Sequence, residues 1–349
     1  MNQKSFAILK NAGKWAQVEM DADKITADNA VSYPIIKGVP CFLSDRANLD
    51  ETFVSEQDKT TDTFSEKWLR FQNYGMKPDE QDFHQKWFCE KFGIEDSMNS
   101  LKEFYRDKKA ILEVGTGSGF NCKFMAENCC GYVVGADISE GAFVTYQNTI
   151  NIDNILIIQA DLMQLPLRHN LFDFVIADGV LHHTPDTYEA VKELYKLVKP
   201  GGQFFFYIYK KMGAVKQFTD HHIREAFKGL SAEECFRQCE PITELGRELA
   251  KLNAKITLEN PIPILGIPAG THNVQRLIYY NFLKCFWNDS FDFETNNMIN
   301  FDWYHPHDAH QHTEEEVRQW MREMGVIDYT IRDPNPNGLS VLLTKPEQK

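Results

Sequence analysis

KAILEVGTGSGF, Lys109 to Phe120, joins a short apolar run to three alternating glycines. Ala110 to Val114 has the composition of a central strand buried on both faces. A strand that turns at once into a helix through Gly115, Gly117 and Gly119 bares backbone N–H groups, against which a polar or anionic ligand can sit. The spacing is G-x-G-x-G. The dinucleotide fingerprint needs its third glycine at position 120, where Phe120 stands, so a nicotinamide cofactor is disfavoured.

The same rhythm continues downstream. Tyr132–Ala136, Ile155–Gln159, Phe172–Ala177 and Gln203–Tyr209 read as further strands, the last introduced by Lys199-Pro200-Gly201-Gly202. Asp137, Asp161 and Asp178 follow the second, third and fourth of the five strands, at the carboxyl ends where open parallel sheets bind ligands. Thr187–Leu197 is amphipathic, and the Pro-Gly-Gly turn ends it.

This ordered set resembles the class I S-adenosylmethionine-dependent methyltransferases. It comprises ExGxGxG at Glu113–Gly119, Asp137, Asp161 in QADLMQLPL, FDFVIADGVLHH and LVKPGG, covering residues 108–210 and, less tightly, 312–349. The resemblance implies an α/β fold: a doubly wound, seven-stranded, mostly parallel Rossmann-like sheet, with S-adenosyl-L-methionine as cofactor. It implies that Gly115, Thr116, Gly117 and Gly119 line the methionine part, with Glu113 orienting their loop from beneath. Asp137, with Ile138 beside it, would take the two ribose hydroxyls, because a carboxylate accepts both hydrogen bonds at once. Asp161 and the Leu162 backbone would meet the adenine amino group, and Asp178 completes the cofactor set.

The loop after the fourth strand, Asp178 to Pro185, faces the transferred methyl group in the resembling enzymes. His182 and His183 are the candidates for a base or an acceptor-orienting group, since imidazole titrates near neutrality; one of them is expected to serve packing alone. Before the sheet, Phe64–Gly75 brings aromatics and an arginine together. Trp68 and Arg70 there are candidates to close over the cofactor, Arg70 by pairing with its carboxylate. Phe83, Trp87, Phe88 and Phe92 recur at helical spacing within Asp82–Phe92 and read as core.

Residues 1–50 read as a small module of short strands, SFAILK, KWAQVEM and VSYPIIKGVPCFL. YPIIKGVPCFL resembles the closing segment of the zinc-ribbon activator subunit of methyltransferases. Cys41 is its only cysteine, so a tetrahedral zinc site cannot form from it, and the expectation is a metal-free relic. Residues 51–107 are expected to form a linker and a helical cap, the linker spanning Asp45–Thr63.

Residues 211–311 leave the common fold as a helical insert, the expected seat of substrate choice. Helices are expected around Asp220–Phe227, Ile242–Leu252 and Val274–Trp287. Phe291–His312, FDFETNNMINFDWYHPHDAHQH, is the part of unusual composition. His305, His307, Asp308, His310 and His312 invite a metal reading, but no helical H-x-x-x-H spacing occurs and Pro306 interrupts, so no metal is expected. FDWYHP resembles a pocket segment of related bacterial methyltransferases, which makes Trp303, Tyr304 and His305 candidates. Thr313–Glu316 is a capping box, and Ile327–Ile331 with Leu339–Thr344 should close the sheet as an antiparallel pair.

With 37 Lys and Arg against 50 Asp and Glu among 349 residues, the net charge of −13 repels a phosphate backbone. No apolar run is long enough to span a bilayer, no signal-peptide core is present, and eight scattered cysteines suit a reducing cytoplasm. The expected protein is a cytoplasmic methyltransferase acting at oxygen or nitrogen of a small molecule: a natural-product, sugar or envelope precursor. A tRNA or protein methyltransferase and a non-catalytic cofactor-binding partner subunit are the alternatives. No membrane partner is expected, and the sequence leaves the oligomeric state open.

Overall fold

A helix opens the chain where SFAILK reads as a strand. In the computed structural model, α1 (Gln3–Ala12) begins at Asn2, whose side chain accepts the Ser5 N–H at 2.8 Å. Phe6, Leu9, Ile8 and Ala12 are buried together, an i+3, i+4 pattern that a six-residue window is too short to reveal. After it β1 (Val18–Met20), β2 (Lys24–Ala27), β3 (Val31–Ile36) and β4 (Val39–Pro40) form an antiparallel sheet in sequential order. The rings of Trp15, Tyr33 and Phe42 cluster at 4.8–5.7 Å beneath it.

The structure describes residues 1–28, 31–43, 56–94, 98–306 and 309–347. The expected linker Asp45–Thr63 lies outside these residues up to position 55, and from Glu56 onward it is helix. Three helices follow: α2 (Glu56–Arg70), α3 (Pro78–Phe92) and α4 (Met98–Arg106). Gly93 ends α3 in the left-handed conformation, with its N–H on the Cys89 carbonyl.

The central unit alternates β5 (Ala110–Val114), α5 (Phe120–Asn128), β6 (Tyr132–Asp137), α6 (Gly141–Thr149), β7 (Ile155–Gln159), β8 (Phe172–Asp178), α7 (Thr187–Leu197) and β9 (Val198–Tyr209). The insert contributes α8 (Ala214–Phe227), α9 (Ala232–Lys251), the hairpin β10 (Lys255–Leu258) and β11 (Gly270–Asn273), α10 (Val274–Asn281) and α11 (Phe293–Tyr304). Then α12 (Glu314–Glu323), β12 (Tyr329–Asn335) and β13 (Gly338–Thr344) close the chain. Within Phe291–His312, the stretch of unusual composition, α11 is a regular helix capped by Asp292. Its polar Asn296, Asn297 and Asn300 are wholly buried and hydrogen-bonded, so polarity misleads there. At Thr313 the capping box is formed as expected.

The seven-stranded sheet runs β12-β13-β9-β8-β5-β6-β7, parallel from β9 through β7 and antiparallel at β13 and β12. The chain winds from β5 to β7 in one direction, then restarts at β8 on β5's other side. That reversal opens a crevice at the carboxyl ends of β5 and β8. Alternation divides the core. Leu112, Val114, Phe204 and Phe206 pack with α1, α7 and α12, while Ile111, Phe174, Phe205 and Tyr207 pack with α3 and α4. Phe88 and Phe92 of α3 are buried in this second layer, each contributing about 1.5–3 kcal/mol of burial. The helical cap is therefore part of the sheet's own core.

Candidate functional site

A cleft of about 330 Å³ opens at the switch point, roofed by α2 and α3 and bounded by α11. Its floor is the glycine turn. Gly115, Gly117 and Gly119 all have positive φ (72°, 59° and 85°), which only glycine adopts freely. A Cβ on Gly115 would fall 2.3 Å from Val180, and one on Gly117 would fall 2.4 Å from Trp68. The turn is thus shaped both by backbone and by close neighbours.

Asp137 holds that turn. Its Oδ2 accepts the Gly117 N–H at 3.0 Å, and Oδ1 accepts the Ser139 N–H at 2.9 Å and the Ser139 hydroxyl at 2.7 Å. Burial raises its pKa, against the pull of these hydrogen bonds. Three of roughly four lone-pair positions are occupied. One ribose hydroxyl can bond directly, and a second needs the Ser139 hydroxyl to turn away. Asp161 lines the same end and caps the short turn Leu162–Gln164, its Oδ1 accepting the Met163 N–H at 2.9 Å. Thr116, Ile138 and Leu162 also line the cleft.

Glu113 lies at the bottom of the cleft. Its Oε1 accepts from Asn121 Nδ2 at 2.7 Å, and the Cys122 thiol is the carboxyl's other side-chain partner. Burial pushes its carboxyl up to about 7. The folded state therefore binds a proton that the unfolded state has released between pH 4.5 and 7, and stability falls as pH rises through that window. Glu113→Gln should flatten this loss, which amounts to up to about 3 kcal/mol, in thermal melts taken across the window. An unchanged slope would remove Glu113 as its cause. The buried Glu113 carboxyl, the positive-φ glycines of the turn and the spare position on Asp137 fit a nucleoside with a cationic amino-acid tail.

Beyond the glycine turn the walls are aromatic and carry two ion pairs. Lys67 Nζ bonds Asp302 Oδ1 at 2.7 Å, and Lys91 Nζ bonds both oxygens of Asp178 at 2.6 and 2.7 Å. His183 lines this end, edge-on to Phe64 at 5.0 Å. Trp68 covers Gly117 and lines the cleft as well.

Several expected residues sit elsewhere. Arg70 faces away from the cleft: it pairs with Glu233 at 2.9 Å and Glu294 at 3.3 Å and lies 3.7 Å over the Phe236 ring. Lys67, one turn earlier, brings the cap's positive charge to the cleft instead. His182 is wholly buried behind Tyr209, with ring centres 3.7 Å apart and neither ring nitrogen hydrogen-bonded. Burial holds it far below the usual imidazole range, so it is a neutral packing residue and no base. Tyr304 is buried and donates its hydroxyl to the Lys284 carbonyl; Trp303 donates to Asp220 at 2.9 Å. His305 stacks on Phe301 at 4.6 Å. None of these three lines the cleft; Asp302, beside them, does. Among the described residues no cluster of three or more His, Cys, Asp or Glu is arranged for a metal, and His307 and Asp308 lie outside those residues.

Sheet order, glycine turn and strand-end acids together define a Rossmann-like methyltransferase fold. Residues 112–206 match the family described as the methyltransferase domain. This match supports a methyltransferase whose cofactor is S-adenosylmethionine. The chain is similar to demethylmenaquinone methyltransferase of Staphylococcus epidermidis, 40% identical over 73 residues, which is 21% of this chain and 30% of that protein. It is also similar to the Staphylococcus aureus enzyme of the same name, 35% identical over 89 residues, 25% of this chain and 37% of the other. The match thus spans less than two fifths of either relative's length. Among solved structures, the N-methyltransferase NodS of Bradyrhizobium japonicum with S-adenosyl-L-homocysteine aligns at TM-score 0.42 and 12% identity, covering 83% of this chain and 100% of that one.

Proposed function

We propose that this chain moves the methyl group of S-adenosylmethionine onto oxygen or nitrogen of a small molecule. The observation that carries this reading is one cleft whose glycine turn and acids make one end and whose aromatic walls and paired charges make the other. Bound S-adenosylmethionine supplies an electrophilic methyl carbon. The protein's part is alignment of acceptor, carbon and leaving sulfur, which by itself can be worth several kcal/mol of barrier. The glycine turn, Glu113, Asp137 and Asp161 fix the cofactor end. Trp68 and Lys67 close over it, excluding water, and His183 and Asp178 face the acceptor.

The small-molecule reading is supported by enclosure and by the net charge of −13, which opposes a nucleic-acid backbone. The N-terminal sheet is read as a metal-free relative of the zinc-ribbon activators, serving packing or substrate entry. No described helix is long and apolar enough to cross a membrane, and a cytoplasmic setting suits the free cysteines. In the test, the purified chain is incubated with S-adenosylmethionine and a panel of hydroxylated and amino compounds, and mass spectrometry follows methylated product and S-adenosylhomocysteine. Saturable cofactor binding with a methylated small molecule is expected. Binding without any product would favour the non-catalytic partner subunit, and RNA binding that collapses with salt would favour the tRNA reading.

A further inference from the structure

Lys91 is an ionisable side chain placed where an apolar one would be expected. Its side chain is 2% exposed, and the rings of Trp87, Phe88 and Tyr207 surround Nζ at 4.6, 5.2 and 4.7 Å. Burial lowers its pKa, and the Asp178 carboxylate opposes that shift. A buried pair of this kind gives no stability advantage over well-packed apolar residues of the same volume. Its position suggests another use. Asp178 ends β8, keeps 19% of its side chain exposed, and with Lys91 lines the cleft. Gly179 follows, and apart from its chain neighbours no residue comes within 4 Å of where its Cβ would be, so the cleft has room there.

We infer that the acceptor is a flat molecule carrying a phenolic or enolic hydroxyl, and that the Lys91–Asp178 pair is the device that selects it. This rests on the methyltransferase reading above and narrows it. Phe64, Phe83, Trp87, Tyr207 and Tyr209 line the cleft and suit a flat ring. An ammonium and a carboxylate side by side complement a group that both donates and accepts. A hydroxyl does this and keeps a second lone pair for the methyl carbon. An amine has one lone pair, which the ammonium would occupy or repel, and a carboxylate acceptor would meet the Asp178 charge. As the acceptor oxygen bonds to the methyl carbon, the carbon–sulfur bond breaks and its electron pair stays on sulfur. The hydroxyl proton passes to Asp178, and Lys91 offsets the negative charge on the acceptor oxygen until that bond forms. Asp178 is the catalytic residue in this scheme; Lys91 positions it and tunes the acceptor.

The test uses para-nitrophenol, whose anion is coloured, and its amine analogue para-nitroaniline, each titrated into the full-length chain. Calorimetry with S-adenosylmethionine is run on the same preparations. On the wild type the phenolate-to-phenol ratio of bound para-nitrophenol should exceed its free value by about tenfold at a given pH, one pKa unit. Lys91→Met should abolish that shift and lower the melting temperature, because it strands the Asp178 charge. The double variant K91M/D178N should recover the melting temperature and still show no shift. A wild type that binds cofactor but leaves para-nitrophenol unshifted or unbound, or prefers para-nitroaniline, overturns the inference and leaves the methyltransferase reading standing. Retention of the shift in the double variant overturns it equally. A wild type that binds no S-adenosylmethionine removes both.

Discussion

Asp137→Ala should weaken S-adenosylmethionine binding by about a hundredfold or more. The carboxylate does two things at once: it offers its remaining acceptor position to the ribose, and it ties down the Gly117 N–H at 3.0 Å. A hydrogen bond to a charged group contributes about 1.5–3 kcal/mol, and removing Asp137 deletes one to the cofactor and one that shapes its seat. Together these correspond to about two or more orders of magnitude. Asp137→Asn keeps the volume but offers one acceptor atom in place of two, so an intermediate loss is expected. Isothermal calorimetry decides it. An affinity within about threefold of wild type for Asp137→Ala would mean the nucleoside is held elsewhere.

Gly117→Val should be nearly as damaging, through geometry alone. At φ 59° a β-branched residue is strained, and its Cβ would lie 2.4 Å from the Trp68 ring. The left-handed backbone costs about 1–2 kcal/mol, and Trp68 must also withdraw from the turn it covers. A loss of cofactor affinity beyond about tenfold is expected, with a change in tryptophan emission as the indole leaves its site. Because one clash links the two residues, Trp68→Ala should recover part of the loss in the double variant, giving a non-additive cycle. Additive effects would show that Trp68 does not rest on the turn in solution.

The sheet was legible because its strands are encoded locally. Ala110–Val114 is buried at every position, and a continuous apolar run with glycines after it has few other uses. The three strand-end aspartates were legible for the same reason, since Asp137 and Asp178 are the last residues of their strands and Asp161 lies two positions beyond its own. Lys91 and Asp178 are 87 positions apart, and Lys67 and Asp302 are 235 apart. No local pattern announces such pairings. The sequence therefore pointed to Arg70, whose type suits a carboxylate, while the fold turned that face of α2 to Glu233 and Glu294. His182 and His183 are chemically identical in sequence; one peptide step sends the first behind Tyr209 and leaves the second in the cleft. In α11 buried asparagines replaced the apolar stripe by which a helix is normally recognised. SFAILK was misread because apolar residues at positions 6 to 9 satisfy a short strand as well as a helix.

The N-terminal sheet meets the large one at a sensitive place. β7 is the last strand of its sheet, and Phe42 donates its N–H to the Gln159 carbonyl at 2.7 Å while Cys41 bridges the same residue. Open strand borders template the addition of further chains. By pairing with Gln159, Cys41 and Phe42 leave less of this border open to an added strand.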